Sequence, residues 1–355
     1  MKAAVWLTAG EKSSVEEIEL AGPERGEVEV ELRSAGVCHS DLHLALGHLG
    51  RRRFPTVLGH EGAGVVTKIG AGVEGVVTGD RVAFCFLPAC GQCRQCRRDH
   101  ANLCEAGSRA AFGGTMLDGS YRMFRGDGSP LQQFLAVGAF AQRTVVPEQS
   151  VVKMPDQISF ADAALLGCAV VTGFGAVRNK AKVQTGDRVA VIGTGGVGLQ
   201  VIAAAAAAGA EAVVAIDQVE AKRQLALDQG ATAFVAPSEV RGTFDWVFEV
   251  VGRPETIESA WSLTAPGGSV VVVGIAPVGT EARVAAIDFA SEKSLLGSFY
   301  GSGNPAREIA ALAQEIVSGA IDLNRTVTHR SDLDGIEEAF ARMQRGEGLR
   351  TLVEF

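Results

Sequence analysis

No uninterrupted apolar stretch in this chain reaches the roughly 18 residues that read as a membrane-crossing helix. Its opening Met-Lys-Ala-Ala-Val-Trp has neither the basic start, the apolar stretch nor the small-residue cleavage site of a secretory leader. Both absences speak against a membrane partner and set the cytoplasm as the expected compartment. Positive charge is scarce as well: 33 Lys and Arg face 41 Asp and Glu, for a net charge of -8 and a pI near 5.4. Binding to nucleic acid or to an anionic surface needs a net or clustered positive field, so neither is expected. There is also no internal repeat and no linker that would separate independent proteins.

With 355 residues, 47% hydrophobic and 21% charged, the chain is an ordinary globular one and long enough for two domains. Short β-rich runs punctuated by glycine, such as 27–32 and 62–69, fill the first hundred residues and imply a compact β-rich domain. From about residue 170 apolar strands (188–192, 212–216, 269–273) alternate with alanine-rich helical stretches such as 199–208. That alternation implies a parallel sheet with right-handed crossovers. The alanines from Ala203 to Ala208 read as a helix packed close on that sheet rather than as low complexity. Two amphipathic stretches, 306–318 and 335–345, and a β-like segment, 350–355, follow.

The strand 188–192 runs into Gly193-Thr-Gly195-Gly196-Val197-Gly198, and an alanine-rich helix begins there. Glycines at this spacing allow a tight turn and backbone approach to a pyrophosphate, while the helix start offers free amides and partial positive charge. The next apolar run ends in Asp217, placed to accept hydrogen bonds from ribose hydroxyls and to repel a 2'-phosphate. NAD is therefore favoured, although Lys222 and Arg223 leave a case for the phosphorylated cofactor.

Seven cysteines in such a chain read as metal ligands or thiols rather than as a disulfide framework. Cys90, Cys93, Cys96 and Cys104 bring four soft ligands within fifteen residues, enough to close a tetrahedral shell around a structural Zn2+. An iron–sulfur cluster fits less well, because its fourth cysteine normally follows after three residues and precedes proline. Here the gap is seven residues and Glu105 follows. Arg94, Arg97 and Arg98 read as a solvated loop face that offsets the charge of a zinc tetrathiolate. A second constellation combines Cys38-His39-Ser40-Asp41 with Gly59-His60-Glu61, to which the distant Cys168 can add a ligand. Two cysteines and one histidine leave one position open, the pattern of catalytic zinc for which alcohol dehydrogenase is the general example.

In this order, these segments resemble the zinc-containing medium-chain alcohol dehydrogenases of the long-loop type, over essentially the whole chain. The resemblance implies an α/β protein in which a GroES-like β-rich catalytic domain is joined to a doubly wound parallel-sheet Rossmann domain. Its implied boundaries are 1–169 for the catalytic domain with its structural zinc lobe, 170–299 for the NAD-binding domain, and 300–355 for a return that completes the first. The active-site cleft would form between the domains. Two Zn2+ per chain are implied, one on Cys38, His60 and Cys168 and one on the four-cysteine lobe. Asp41 would orient His60, Ser40 would take the alcohol proton toward ribose and His43, and Glu61 would tune the metal. The cofactor would further meet His39, Thr172, Lys222 and, at the pyrophosphate, Arg350. Leu49, Phe86, Phe134, Leu135, Ile275 and Phe299 would line an apolar pocket suited to medium-chain or aromatic alcohols, and the 64-residue spacing from Cys104 to Cys168 resembles that of the family's long-loop members, which implies a homodimer.

The expected reaction is reversible oxidation of primary or secondary alcohols by NAD. A thiol-dependent formaldehyde dehydrogenase shares the same motifs, and Arg109 is a candidate contact for its anionic adduct. A noncatalytic NAD- or zinc-binding scaffold and a zinc-free quinone reductase are disfavoured by the complete open-site ligand set. Cys85, His48, His100 and His329 fit no ligand role.

Overall fold

A computed structural model of the chain describes residues 1–49, 54–323 and 325–355. Two compact units emerge, Met1–Cys168 with Gly303–Phe355, and Ala169–Ser302.

The first unit is β-rich. The strands Lys2–Trp6, Ser14–Leu20, Met123–Arg125, Pro130–Gln133 and Thr56–Val57 close into a small barrel. Ala3, Val5, Ile18, Val57, Met123 and Leu131 fill its core. A seven-stranded sheet runs Val151–Lys153, Arg81–Phe84, Glu61–Ile69, Glu27–Gly36, Arg350–Glu354 and Val327–Ser331, with Arg143–Pro147 also paired to Glu27–Gly36. The alternating Glu-Val-Glu-Val-Glu-Leu of that central strand puts Val28, Val30 and Leu32 into the core, as a period of two requires. Glu27 and Glu29 are buried too, and each has a cationic partner: Arg122 holds Glu27 through two hydrogen bonds, while Lys68 and Arg143 reach Glu29 from the two flanking strands.

The second unit carries a six-stranded parallel sheet in the order Ala233–Val235, Ala212–Ile216, Arg188–Ile192, Phe244–Glu249, Thr264–Val272 and Ser294–Gly297. Its central strands are buried on both faces, hence the near-continuous Val, Ala and Ile of 189–192. The alanine-rich helix is Gly196–Ala207, and its small side chains let Val201, Ile202, Ala204 and Ala205 sit fully buried against the sheet.

A 22-residue helical run, Phe160–Ala181, carries the chain from one unit into the other and is apolar enough by length and composition to span a bilayer. The sequence pattern hid it because Asp162, glycines and Arg178 interrupt the apolar residues. Of its most apolar window 78% is buried inside the protein, so it serves as a core helix here.

Candidate functional site

Cys38 follows the central strand Glu27–Gly36 and opens the helix His39–Ala45, whose first turn holds Asp41. Asp41 is fully buried and ties three groups together. One carboxylate oxygen accepts from the Cys38 amide at 3.2 Å, and the other from the Gly59 amide at 2.9 Å and the His60 ring at 3.1 Å. A carboxylate accepts, so His60 Nδ1 carries the proton and Nε2 remains for a cation, the usual support of a metal-binding histidine. Gly59 lies at φ +89°, and a Cβ there would approach the Phe140 amide to 2.7 Å, so only glycine delivers His60 at this corner.

Donor atoms of Cys38, His60, Glu61 and Cys168 all lie within 4.8 Å of one another, and all four residues are buried. Burial favours neutral His60, yet Asp41 and Cys38 outweigh it and hold the imidazole well above its ordinary range. A hydrogen bond from Cys168 and the neighbouring His60 and Arg350 push Cys38 toward thiolate, and the same contact drives Cys168 well upward. A divalent metal would let both thiols ionise. The donor set thus fits Zn2+, with two soft sulfurs and one nitrogen.

Glu61 completes the cluster asymmetrically. Its Oε1 accepts from Arg350 at 2.9 Å, while its Oε2 is buried without a hydrogen-bond partner among the described residues. Burial pushes this carboxyl up to about 7, with Arg350 opposing the rise. Gly36 makes room for it, since a Cβ there would fall 2.2 Å from Oε2. Arg350 is itself buried, with its other terminal nitrogen donating to the Val37 carbonyl at 3.1 Å.

Around this centre Ser40 is half-buried on the first helical turn and His39 is exposed. His43 is half-buried, its Nδ1 has no hydrogen-bond partner among the described residues, and His48 packs edge-on to it at 5.4 Å. Burial first, then His48, keeps His43 below the usual imidazole range. The sequence assigned His48 nothing, because only the turn after the helix reveals that it meets His43. Phe86 and Phe134 flank His60 with their rings at 5.4 and 5.5 Å, nearly perpendicular to it. Leu135 is buried at φ +53°, a sparse region for a branched side chain, in the turn that also sets Phe134. Leu49 is half-buried, and residues 50–53 beyond it lie outside the described residues. In the other unit, Ile275 is 46% exposed and Phe299 half-buried. Arg109 is exposed on the helix Glu105–Gly113.

The second donor group comprises Cys90, Cys93, Cys96 and Cys104, again within 4.8 Å. Its Cys93–Cys96 and Cys93–Cys104 sulfur separations are 3.6 and 4.0 Å. A tetrahedral zinc with Zn–S near 2.3 Å demands edges of about 3.8 Å, so the lobe fits that ion. Amides of Cys90 and Gly107 also donate to Cys104 Sγ at 3.2 and 3.4 Å, bonds that suit a thiolate.

In the second unit, the Gly193–Gly198 turn joins the strand Arg188–Ile192 to the helix Gly196–Ala207. Gly193 has φ +93°, and a Cβ on Gly198 would lie 1.9 Å from the Gly193 carbonyl. A Cβ on Gly195 would meet nothing within 4 Å among the described residues, so its backbone leaves room beside the helix start, as a pyrophosphate requires. Asp217 is held at the end of the next strand by Thr194, Val219 and Lys222. Burial opposes its ionisation, but these donors hold it below the ordinary carboxylate range. Thr172 is half-buried in the helix Val171–Gly175.

Residues 24–156 match the family described as alcohol dehydrogenase GroES-like domain, and residues 196–318 match zinc-binding dehydrogenase. The chain is 37% identical to an NDMA-dependent alcohol dehydrogenase of Amycolatopsis methanolica, an alignment covering 99% of this chain and 98% of that protein. It is 35% identical to an S-(hydroxymethyl)glutathione dehydrogenase of Komagataella pastoris, covering 99% and 97%. Among solved structures, benzyl alcohol dehydrogenase of Acinetobacter calcoaceticus superimposes with a TM-score of 0.93 at 27% identity, covering 100% of this chain and 99% of that one.

Proposed function

Because this chain belongs to the zinc-containing medium-chain alcohol dehydrogenases, oxidoreductases that join a GroES-like domain to a Rossmann-like one, we propose that it interconverts alcohols and carbonyl compounds with NAD. One observation carries the proposal: Cys38, His60 and Cys168 converge with Glu61 inside 4.8 Å, braced by Asp41 and walled by Phe86 and Phe134. Under this reading Cys38, His60 and Cys168 hold the catalytic zinc, and the four-cysteine lobe holds a structural one. Residues 1–169 and 300–355 then form the catalytic domain and 170–299 the cofactor domain.

Zinc at this site supplies the acidity an alcohol oxygen lacks at neutral pH and polarises a carbonyl in the reverse direction. The nicotinamide supplies the hydride chemistry. The chain does the rest. Asp41 fixes the Cys38 backbone and the His60 ring, so both donors are pre-set before substrate arrives. Ser40 Oγ accepts the proton leaving the alcohol as it passes its own on toward ribose and His43, and His43, whose imidazole titrates below its usual range, delivers a proton to solvent. Phe86 and Phe134 exclude water from the reacting carbon and favour a flat, apolar substrate, so we assign aromatic alcohols first and medium-chain ones second.

NAD is preferred to NADP because both candidate phosphate ligands are already engaged. Lys222 bonds Asp217 at 3.2 Å, and Arg223 pairs with Glu220 and donates to the Phe234 carbonyl at 2.8 Å. For quaternary structure, the sheet ends in the strand Ser294–Gly297, and Leu295, Ile287, Phe289 and Val278 nearby in sequence are 41, 78, 51 and 72% exposed. Such an edge supports a homodimer. The cytoplasm is the compartment in which the seven cysteines, six of them assigned to zinc, would stay reduced.

The relatives that act on S-(hydroxymethyl)glutathione favour a second reading, oxidation of a thiol–formaldehyde adduct. One panel separates the two: kcat/KM for benzylic and aliphatic alcohols against formaldehyde with and without glutathione or mycothiol. Higher values for free alcohols are expected. Turnover of formaldehyde only with a thiol present would replace the first reading by the second.

A further inference from the structure

Asp217 offers the cofactor far less than a free carboxylate would. A carboxylate has about four acceptor positions. Its Oδ2 receives three donors, the Thr194 amide at 2.8 Å, the Thr194 hydroxyl at 2.8 Å and Lys222 Nζ at 3.2 Å. Its Oδ1 receives one, the Val219 amide at 2.9 Å. Thr194 is fully buried, and it stands at the second position of the glycine turn, where the sequence pattern demands no particular residue. Its side chain therefore adds a bond that the turn itself does not need.

We infer that Thr194 is a positioning residue for cofactor choice, clamping Asp217 so that a fixed charge and one open Oδ1 acceptor face the adenosine ribose. The inference rests on the NAD reading above. With Oδ2 saturated from the side of the turn, the carboxylate cannot swing aside to admit a 2'-phosphate, and it meets a ribose hydroxyl without first being ordered. Lys222 contributes to the clamp, which explains how a cation can sit beside the site without recruiting the phosphorylated cofactor.

Equilibrium binding of cofactor fragments to the zinc-loaded protein tests this. Thr194→Val keeps shape and loses the hydroxyl. It should weaken ADP-ribose about five- to tenfold, the scale of one hydrogen bond to a charged group. Preference for ADP-ribose over its 2'-phosphorylated form should fall by about fivefold, while nicotinamide mononucleotide binding stays within about twofold. Thr194→Ser should restore wild-type values. In an Asp217→Ala background, Thr194→Val should change ADP-ribose affinity by less than about twofold, since the hydroxyl acts only through Asp217. Equal weakening of both fragments, no rescue by serine, or an undiminished effect without Asp217 would overturn the inference in favour of a plain structural role. If Asp217→Ala weakens ADP-ribose but Thr194→Val does not, the clamp is refuted and the NAD reading stands. Indifference of ADP-ribose to Asp217→Ala would refute the NAD reading itself.

Discussion

Asp41 contacts Cys38 through its amide and His60 through its ring, so its replacement probes positioning while every donor atom stays in the chain. Asp41→Ala should lower zinc affinity at the catalytic site by about 10–100-fold, read by chelator competition, and leave the four-cysteine lobe loaded. Cys168→Ser removes a donor outright; zinc content should fall from two ions to one and turnover to background, whereas Cys93→Ser should chiefly lower yield and thermal stability. For the proton path, the His43 imidazole titrates below its ordinary range. Its neutral, accepting form therefore persists to lower pH than that of a free histidine, and is lost only as pH falls through the depressed value. His43→Ala should slow alcohol oxidation about tenfold, most strongly at low pH, with zinc retained and activity partly restored by added imidazole. Wild-type rates across the pH range would remove His43 from the relay. Spacing alone made the four-cysteine lobe legible in the sequence, whereas the grouping of Cys38, His60 and the distant Cys168 came from the family resemblance, since no local pattern joins them. Arg350 on Glu61 was not legible, because 289 residues separate them and no local pattern marks an ion pair.

Among the elements, the strands 188–192 and 212–216 were readable to the residue, since burial on both faces leaves an unbroken apolar word between polar ends. The barrel was not: its strands are as short as the two residues Thr56–Val57, below the length at which alternation carries a signal. The central strand Glu27–Gly36 shows how a sheet tolerates buried acid. Glu29 meets Lys68 on one neighbour and Arg143 on the other. Burial raises its pKa, but these partners and Thr67 leave it below the ordinary carboxylate range. A carboxyl depressed on folding contributes stability above its unfolded value, and that contribution disappears as pH falls through the folded one. Glu29→Gln should therefore lower Tm at pH 7 and narrow the gap to wild type as the pH drops below about 4.5, measured by calorimetry across that range. An equal Tm difference at every pH would show that packing, not charge, is what Glu29 contributes.

Over the whole molecule, zinc stoichiometry and assembly state are the quantities that bear on the reading. Elemental analysis should find two zinc ions per chain, because two donor groups of four residues each cannot share one tetrahedral ion. Sedimentation should find a dimer, and Leu295→Lys on the edge strand should shift it to monomer; an unchanged sedimentation coefficient would place the contact elsewhere. Order of synthesis adds a last consequence. The strand Arg350–Glu354 pairs with Glu27–Gly36, and Arg350 closes on Glu61 across 289 residues. At the usual ~5–20 residues per second, the ribosome needs roughly 15–60 s to supply that partner. For this interval the nascent chain holds Cys38, His60 and Glu61 without the guanidinium that balances them, while the 169–302 unit, continuous in sequence, is free to fold as it emerges. The nascent chain thus carries three of the four clustered donors well before the strand that completes their sheet exists, and a ribosome stalled just short of Arg350 would leave Ser34, Ala35 and Gly36 without their antiparallel partner.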